Sequence, residues 1–190
     1  YLEKIQMPNL ASIYGAMLAG IDFIIMGAGI PREIPGVLDL FTNHESASVR
    51  IPVEGANCSD DFRMLFNPAE VIGSIDSPLL RPQFLAIISS ATLAISLKKK
   101  SNGVVNGFVI EKACAGGHNA PPRGRMQLDS IGEPVYGEKD FIEVDKIQEL
   151  GLPFWLAGSY GDPSMIEMAL QEGAQGVDRK STRLNSSHTI

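Results

Sequence analysis

Cysteine, histidine and tryptophan are scarce in this chain of 190 residues, which holds two, three and one of them. Two cysteines, Cys58 and Cys114, build neither a disulfide framework nor a four-ligand zinc site, and so sparse a usage fits a reducing, cytoplasmic setting. Long apolar runs are missing too. None approaches the roughly 20 residues that a membrane-spanning helix needs, so no membrane partner is expected. Positive charge is limited: 16 Lys and Arg stand against 22 Asp and Glu, a net charge of -6. The single basic run, Lys98-Lys99-Lys100, closes a predicted helix, where cations are favoured by the helix dipole and remain solvated. Without a basic stripe no nucleic-acid partner is expected, because phosphate contacts need clustered Lys and Arg.

What remains is ordinary globular material, with 44% hydrophobic and 20% charged residues. Its pattern alternates. Asn9 to Gly20 reads as a helix, capped by Asn9 and stopped by Gly20. Ile21 to Gly27 is an apolar run of strand length. Arg32 to Phe41 can be helical, with a late start at Pro35. Val49 to Val53 reads as a short strand, and turn signals follow, with a short helix at Pro68 to Ile72. Phe84 to Ser90 is a strand, Ala91 to Lys100 a helix, and Gly107 to Lys112 a strand. A long loop covers Ala113 to Lys139. Phe141 to Leu150 is a helix, Pro153 to Ser159 a strand, and Pro163 to Gln171 a helix capped by Asp162. Ala174 to Val177 begins another strand.

Near-continuous apolar strands alternating with helices predict an α/β fold with parallel strands covered on both faces. An open doubly wound sheet and a (β/α)8 barrel both satisfy that pattern. About six strands are present against the eight of a full barrel. The expectation is a TIM barrel incomplete at both ends, spanning residues 1–177. The segment DRKSTRLNSSH, from Asp178, breaks the periodicity and resembles the translation of a short sequencing adapter. Residues 178–190 are therefore expected to be a non-native tail.

In parallel α/β folds, chemistry gathers beyond the C-terminal strand ends. Gly27-Ala28-Gly29, Ser89-Ser90, Glu111 with the following loop, and Gly158-Ser159 all fall there. His118 stands in a loop longer than most connectors. Gly116 and Gly117 before it let the backbone approach a flat ligand, and Pro121 and Pro122 stiffen the far side. An imidazole so framed is a candidate general base. Glu111 can hydrogen-bond a ligand's polar edge or orient His118. The turn from Gly158 to Gly161, before a helix, is a candidate phosphate cradle. His44 and Cys114 read as a surface and a loop residue, and Trp155 as core packing.

MGAGIPREIPGVLD (Met26 to Asp39), AGGHNAPPRG (Ala115 to Gly124), EPVYGEKD (Glu133 to Asp140) and LPFWLAGSYG (Leu152 to Gly161) together resemble the nitronate monooxygenase family, also called 2-nitropropane dioxygenases. The resemblance covers nearly all of residues 1–177. It implies an FMN-binding TIM barrel that oxidises nitronates or nitroalkanes with dioxygen, yielding carbonyl compounds and nitrite. It implies that His118 is the base or substrate-orienting group. Glu111, Ala115, Gly116 and Gly117 would line the flavin, and Gly158 and Ser159 would bind its phosphate. Ser159 replaces a usual glycine but keeps its N–H. The family's opening strand and its Gly-Thr phosphate loop are not matched. No metal is implied, and a homodimer is compatible. Two other readings share these features: a flavin-dependent enoyl-thioester reductase using NAD(P)H, and a phosphate-ligand-binding barrel without flavin.

Overall fold

The computed structural model describes residues 2–57, 59–73, 77–115 and 120–178. In chain order the elements are α1 (Asn9–Leu18), β1 (Phe23–Met26), α2 (Ile34–Thr42), β2 (Ala47–Arg50), β3 (Arg63–Phe66), α3 (Pro68–Ile72), β4 (Gln83–Ile88), α4 (Ala91–Lys100), β5 (Gly107–Glu111), α5 (Val144–Gln148), β6 (Phe154–Ala157), α6 (Pro163–Gln171) and β7 (Gly176–Asp178). The protein is mixed α/β. Five strands form a parallel sheet in the order β1-β4-β5-β6-β7, and β2 pairs with β3 apart from it. No helix among the described residues is long and apolar enough to cross a membrane. The chain divides into two compact units, Tyr1–Leu85 with Leu97–Val105, and Ala86–Ser96 with Asn106–Ile190.

In the unit that holds α1 and α2, the sequence spacing dictates the core. Leu10, Ile13, Tyr14 and Met17 recur on one face of α1, and Ile34, Val37, Leu38 and Phe41 on one face of α2; all are buried. Pro35 sits in the first turn of α2, where its missing N–H is harmless. Leu2 bridges Gly27 in parallel, and the Glu3 N–H donates to the Gly27 carbonyl at 2.7 Å, so the chain before α1 runs beside β1.

Three expectations fail in this unit. Asn9 does not cap α1. The cap position is Pro8, without a side-chain bond, and Asn9 lies inside the helix and fully buried. The strand expected at Val49 to Val53 is instead Ala47–Arg50. It pairs antiparallel with β3, a strand that its polar, turn-rich surroundings concealed. Its burial alternates, with Ala47 and Val49 inside, as a sheet covered on one face requires. His44 is not a free surface residue. Its Nε2–H donates to the Ser77 carbonyl at 2.9 Å, which leaves Nδ1 to accept the Tyr14 hydroxyl at 2.6 Å. Tyr14 packs edge-on to Phe41 with ring centroids 5.1 Å apart, and tilted against Phe66 at 5.6 Å.

In the unit that holds β5 and β6, burial follows the continuous apolar runs. Phe108, Val109 and Ile110 of β5 are all buried, and Phe108 lies opposite Phe154 and Ile110 opposite Leu156. Phe154 and Leu156 point inward, while Trp155 is only half-buried, so core packing describes it incompletely. Asp162 caps α6 as expected, accepting the Ser164 N–H at 2.9 Å. α5 is shorter than expected. Glu138–Asp140 forms a 3-10 turn and Phe141 is extended and exposed, so helical backbone begins only at Val144. In the other unit, Lys98, Lys99 and Lys100 end α4 and are exposed, as charge considerations require.

Burial raises the ionisation of the Tyr14 hydroxyl above its ordinary value. The stability it contributes is present below the unfolded value near pH ~10 and is lost as pH rises through the folded one. Tyr14→Phe should cost about 1 kcal/mol at neutral pH through the lost His44 bond. It should also flatten the alkaline fall in stability, as urea denaturation at pH 7 and above pH 10 would measure.

Candidate functional site

β5 and β6 end side by side, with Glu111 opposite Ala157. The Lys112 N–H extends the ladder by donating to the Ala157 carbonyl at 2.9 Å, and the Ala115 N–H then closes a turn onto the Lys112 carbonyl at 2.9 Å. That turn lies against the one after β6. The Ser159 hydroxyl donates to the Cys114 carbonyl at 3.2 Å. A Cβ on Gly158 would stand 3.1 Å from the Cys114 Sγ, 3.1 Å from the Lys112 Cβ and 3.4 Å from the Ala115 N. Gly158 also has φ +134°, and Ser159 has φ +61°, a left-handed conformation that L side chains rarely take. Glycine at 158 is therefore favoured twice, by the backbone angle and by a neighbouring loop that would have to give by a few tenths of an ångström to admit a Cβ.

Lys112 reinforces the junction. Its ammonium donates to the Tyr160 hydroxyl, lies 5.1 Å from that ring's centroid and stands 3.6 Å from a Glu172 carboxylate oxygen. Burial alone would depress the Lys112 ammonium, but the Tyr160 hydroxyl and the Glu172 charge outweigh it and hold the lysine above its usual value.

A pocket opens beside this junction, lined by Ser89, Glu111, Lys112, Ala120, Arg123 and Tyr136, among others. The described part of the loop that walls it, residues 120–139, is tied down by hydrogen bonds. The Arg123 guanidinium donates to the Ser89 carbonyl at 3.0 Å, and the Tyr136 hydroxyl to the Ala120 carbonyl at 3.1 Å. The Asp140 carboxylate accepts the backbone N–H groups of Gly137 and Arg123, both at 2.8 Å. Those two bonds hold the Asp140 carboxyl below the usual carboxylate range.

Of the residues singled out from sequence, Glu111, Ala115, Gly158 and Ser159 fall in this unit at the ends of β5 and β6, and the turn holding Ala115 touches the one holding Gly158. Gly116, Gly117 and His118 lie outside the described residues, as do Cys58 and residues 179–190. Cys114 is an exposed loop residue with a free thiol, as expected. Sequence reasoning missed Lys112, Arg123, Tyr136, Asp140 and Tyr160. Lys112 and Tyr160 directly neighbour singled-out positions, and that adjacency was the available signal. Asp140 and Tyr136 belong to the quoted EPVYGEKD without a role attached.

The turn after β6 has backbone donors to spare. From Gly158 to Gly161 no backbone N–H donates to an acceptor among the described residues. Asp162 already occupies the helix cap, bonding the Ser164 N–H and hydroxyl. A phosphoryl group would thus be held by the turn's own amides, the arrangement that makes such turns anion sites. No family model matches this chain, and no curated protein matches it.

Gly158→Ala should destabilise the protein by about 1–3 kcal/mol and displace the 112–115 turn, with thermal denaturation and amide chemical shifts as the readouts. Asp140 predicts the acid behaviour. Its carboxylate is depressed when folded, so its contribution holds above the ordinary carboxylate value and is lost as pH falls through the folded one. Amide exchange at Arg123 and Gly137 should therefore quicken in strong acid, and should be fast already at neutral pH in Asp140→Ala.

Proposed function

We propose that this chain forms part of an FMN-dependent nitronate monooxygenase with a TIM-like barrel, in which β1, β4, β5, β6 and β7 are consecutive barrel strands. The observation that carries the reading is the contact between the Lys112–Ala115 turn and Gly158. It brings Ala115, the first residue of the stretch that resembles a flavin-lining motif, beside a turn whose amides have no acceptor among the described residues. The electron donor is a nitronate or nitroalkane, the acceptor is dioxygen, and the setting is cytoplasmic.

FMN, when bound, supplies the electron transfer between nitronate and dioxygen. The chain's own residues supply position and proton handling. The amides from Gly158 to Gly161 hold the phosphate, and Gly158 leaves that turn free of a side chain. Ala115, Gly116 and Gly117 offer backbone to the ring, with Glu111 bonding its polar edge or orienting His118. His118 takes the α-proton from a neutral nitroalkane and orients a nitronate that arrives already deprotonated. The loop from Ala113 to Lys139 excludes bulk water, stiffened by the Asp140 and Arg123 bonds. Products are a carbonyl compound and nitrite.

His118→Ala is the direct test. The variant should keep its flavin absorbance while nitroalkane oxidation, followed as oxygen uptake and nitrite release, falls by about 10²–10⁴-fold. Unaltered turnover with FMN bound would remove His118 from the reaction. Anaerobic bleaching of the flavin by NADH or NADPH would point to an enoyl-thioester reductase. A folded protein that takes up no FMN would leave a phosphate-ligand barrel.

A further inference from the structure

Of the described lysines, Lys112 alone is half-buried, and the others stand exposed. A lysine withdrawn in this way gives up part of its hydration, so its contacts must offset the loss. The contact that marks Lys112 out is with the turn after β6. The Lys112 ammonium donates to the Tyr160 hydroxyl and lies 5.1 Å from that ring's centroid. Tyr160 stands inside the Gly158 to Gly161 turn and is only 6% exposed. Its hydroxyl has no other hydrogen-bond partner among the described residues.

The turn is open to a ligand from one side. Ser159 and Gly161, which flank Tyr160, are both exposed, and a Cβ on Gly161 would meet nothing within 4 Å. The amides can therefore be approached from solvent while the Tyr160 ring anchors the turn to the protein. That anchor matters because Gly158 and Ser159 both hold positive φ, +134° and +61°, and strained backbone keeps its shape only where its surroundings fix it. Amides hold a phosphoryl group only while the turn keeps that shape. Lys112 also belongs to the opposite loop: its own N–H donates to the Ala157 carbonyl and its carbonyl accepts the Ala115 N–H, both at 2.9 Å. Its ammonium further offsets the Glu172 carboxylate, 3.6 Å away, a negative charge that would disfavour an anion nearby.

We propose that Lys112 is a positioning residue for the flavin's phosphate. By holding Tyr160 it keeps the Gly158 to Gly161 turn in the conformation that takes a phosphoryl group, and so makes the protein prefer FMN to riboflavin. The proposal rests on the flavin reading given above. Riboflavin carries the same ring system and lacks the phosphate, so the ratio of the two affinities reports on the phosphate end alone.

The test measures the affinities of the full chain for FMN and for riboflavin, followed as quenching of flavin fluorescence. The unaltered protein should favour FMN by at least about tenfold, the factor expected of one hydrogen bond to a charged group. Lys112→Met should cut that preference by about fivefold to tenfold, through weaker FMN binding and unchanged riboflavin binding. Tyr160→Phe should cut it by about fivefold, and Lys112→Arg, which keeps a cationic donor, should hold it within about twofold. If Lys112→Met does not fold, Tyr160→Phe and Lys112→Arg decide. Variants that keep the full preference, or that lose both flavins in equal measure as a general loss of structure would, overturn the role of Lys112 and leave the flavin reading in place. Equal affinity of the unaltered protein for FMN and riboflavin does the same. An unaltered protein that binds neither flavin overturns the flavin reading, and this proposal with it.

Discussion

The missing side chain at residue 158 is the constraint on which the candidate site depends. Two loops leave neighbouring strands and must pass within van der Waals contact of each other before either can serve a ligand. Cys114, Lys112 and Ala115 crowd the position a Cβ would take, at 3.1–3.4 Å. Gly158 and Ser159 then both take positive φ, and no backbone N–H from Gly158 to Gly161 meets an acceptor among the described residues. The bonds around this point serve to keep it. Ser159 ties its hydroxyl to the opposite loop, and Lys112 spans from that loop to Tyr160 and Glu172. Such concentrated backbone strain persists only where the surroundings over-determine it.

Much of this was legible in the residues, for a physical reason. Strands covered on both faces become nearly uninterrupted apolar runs, so β4, β5 and β6 announce themselves, and small or polar residues directly beyond them mark the strand ends. Helices with strong punctuation were equally readable: α6 begins at Pro163, directly after its cap Asp162, and α4 ends on its lysines. Legibility failed where tertiary contacts overrode local signals. Asn9 carries a capping side chain but lies one residue inside its helix. β3 is nearly all exposed or half-buried, and its pairing with β2 is held partly by the Arg63 guanidinium on Ser48 and Glu33, contacts that no periodicity encodes. His44 looked like a surface residue because its partners, Tyr14 and Ser77, are 30 and 33 positions away.

The two units hold contrasting polar groups. In one, the pocket beside β5 is framed by Arg123 and Asp140, which bond backbone groups, and by Lys112, which bonds Tyr160 and Glu172. In the other, Asn9 is buried with no commitment at all among the described residues. Fully satisfied networks specify a shape, whereas a buried amide without a partner costs stability.

The left-handed backbone at Ser159 has a consequence for variation at this turn. Among L residues, asparagine and aspartate tolerate such angles best, and β-branched side chains tolerate them worst. Glycine there would relieve the torsion but sever the hydroxyl tether to Cys114, two changes of opposite sign. Serine and glycine are thus near-equivalent occupants, whereas valine or isoleucine would force the hinge of the turn open.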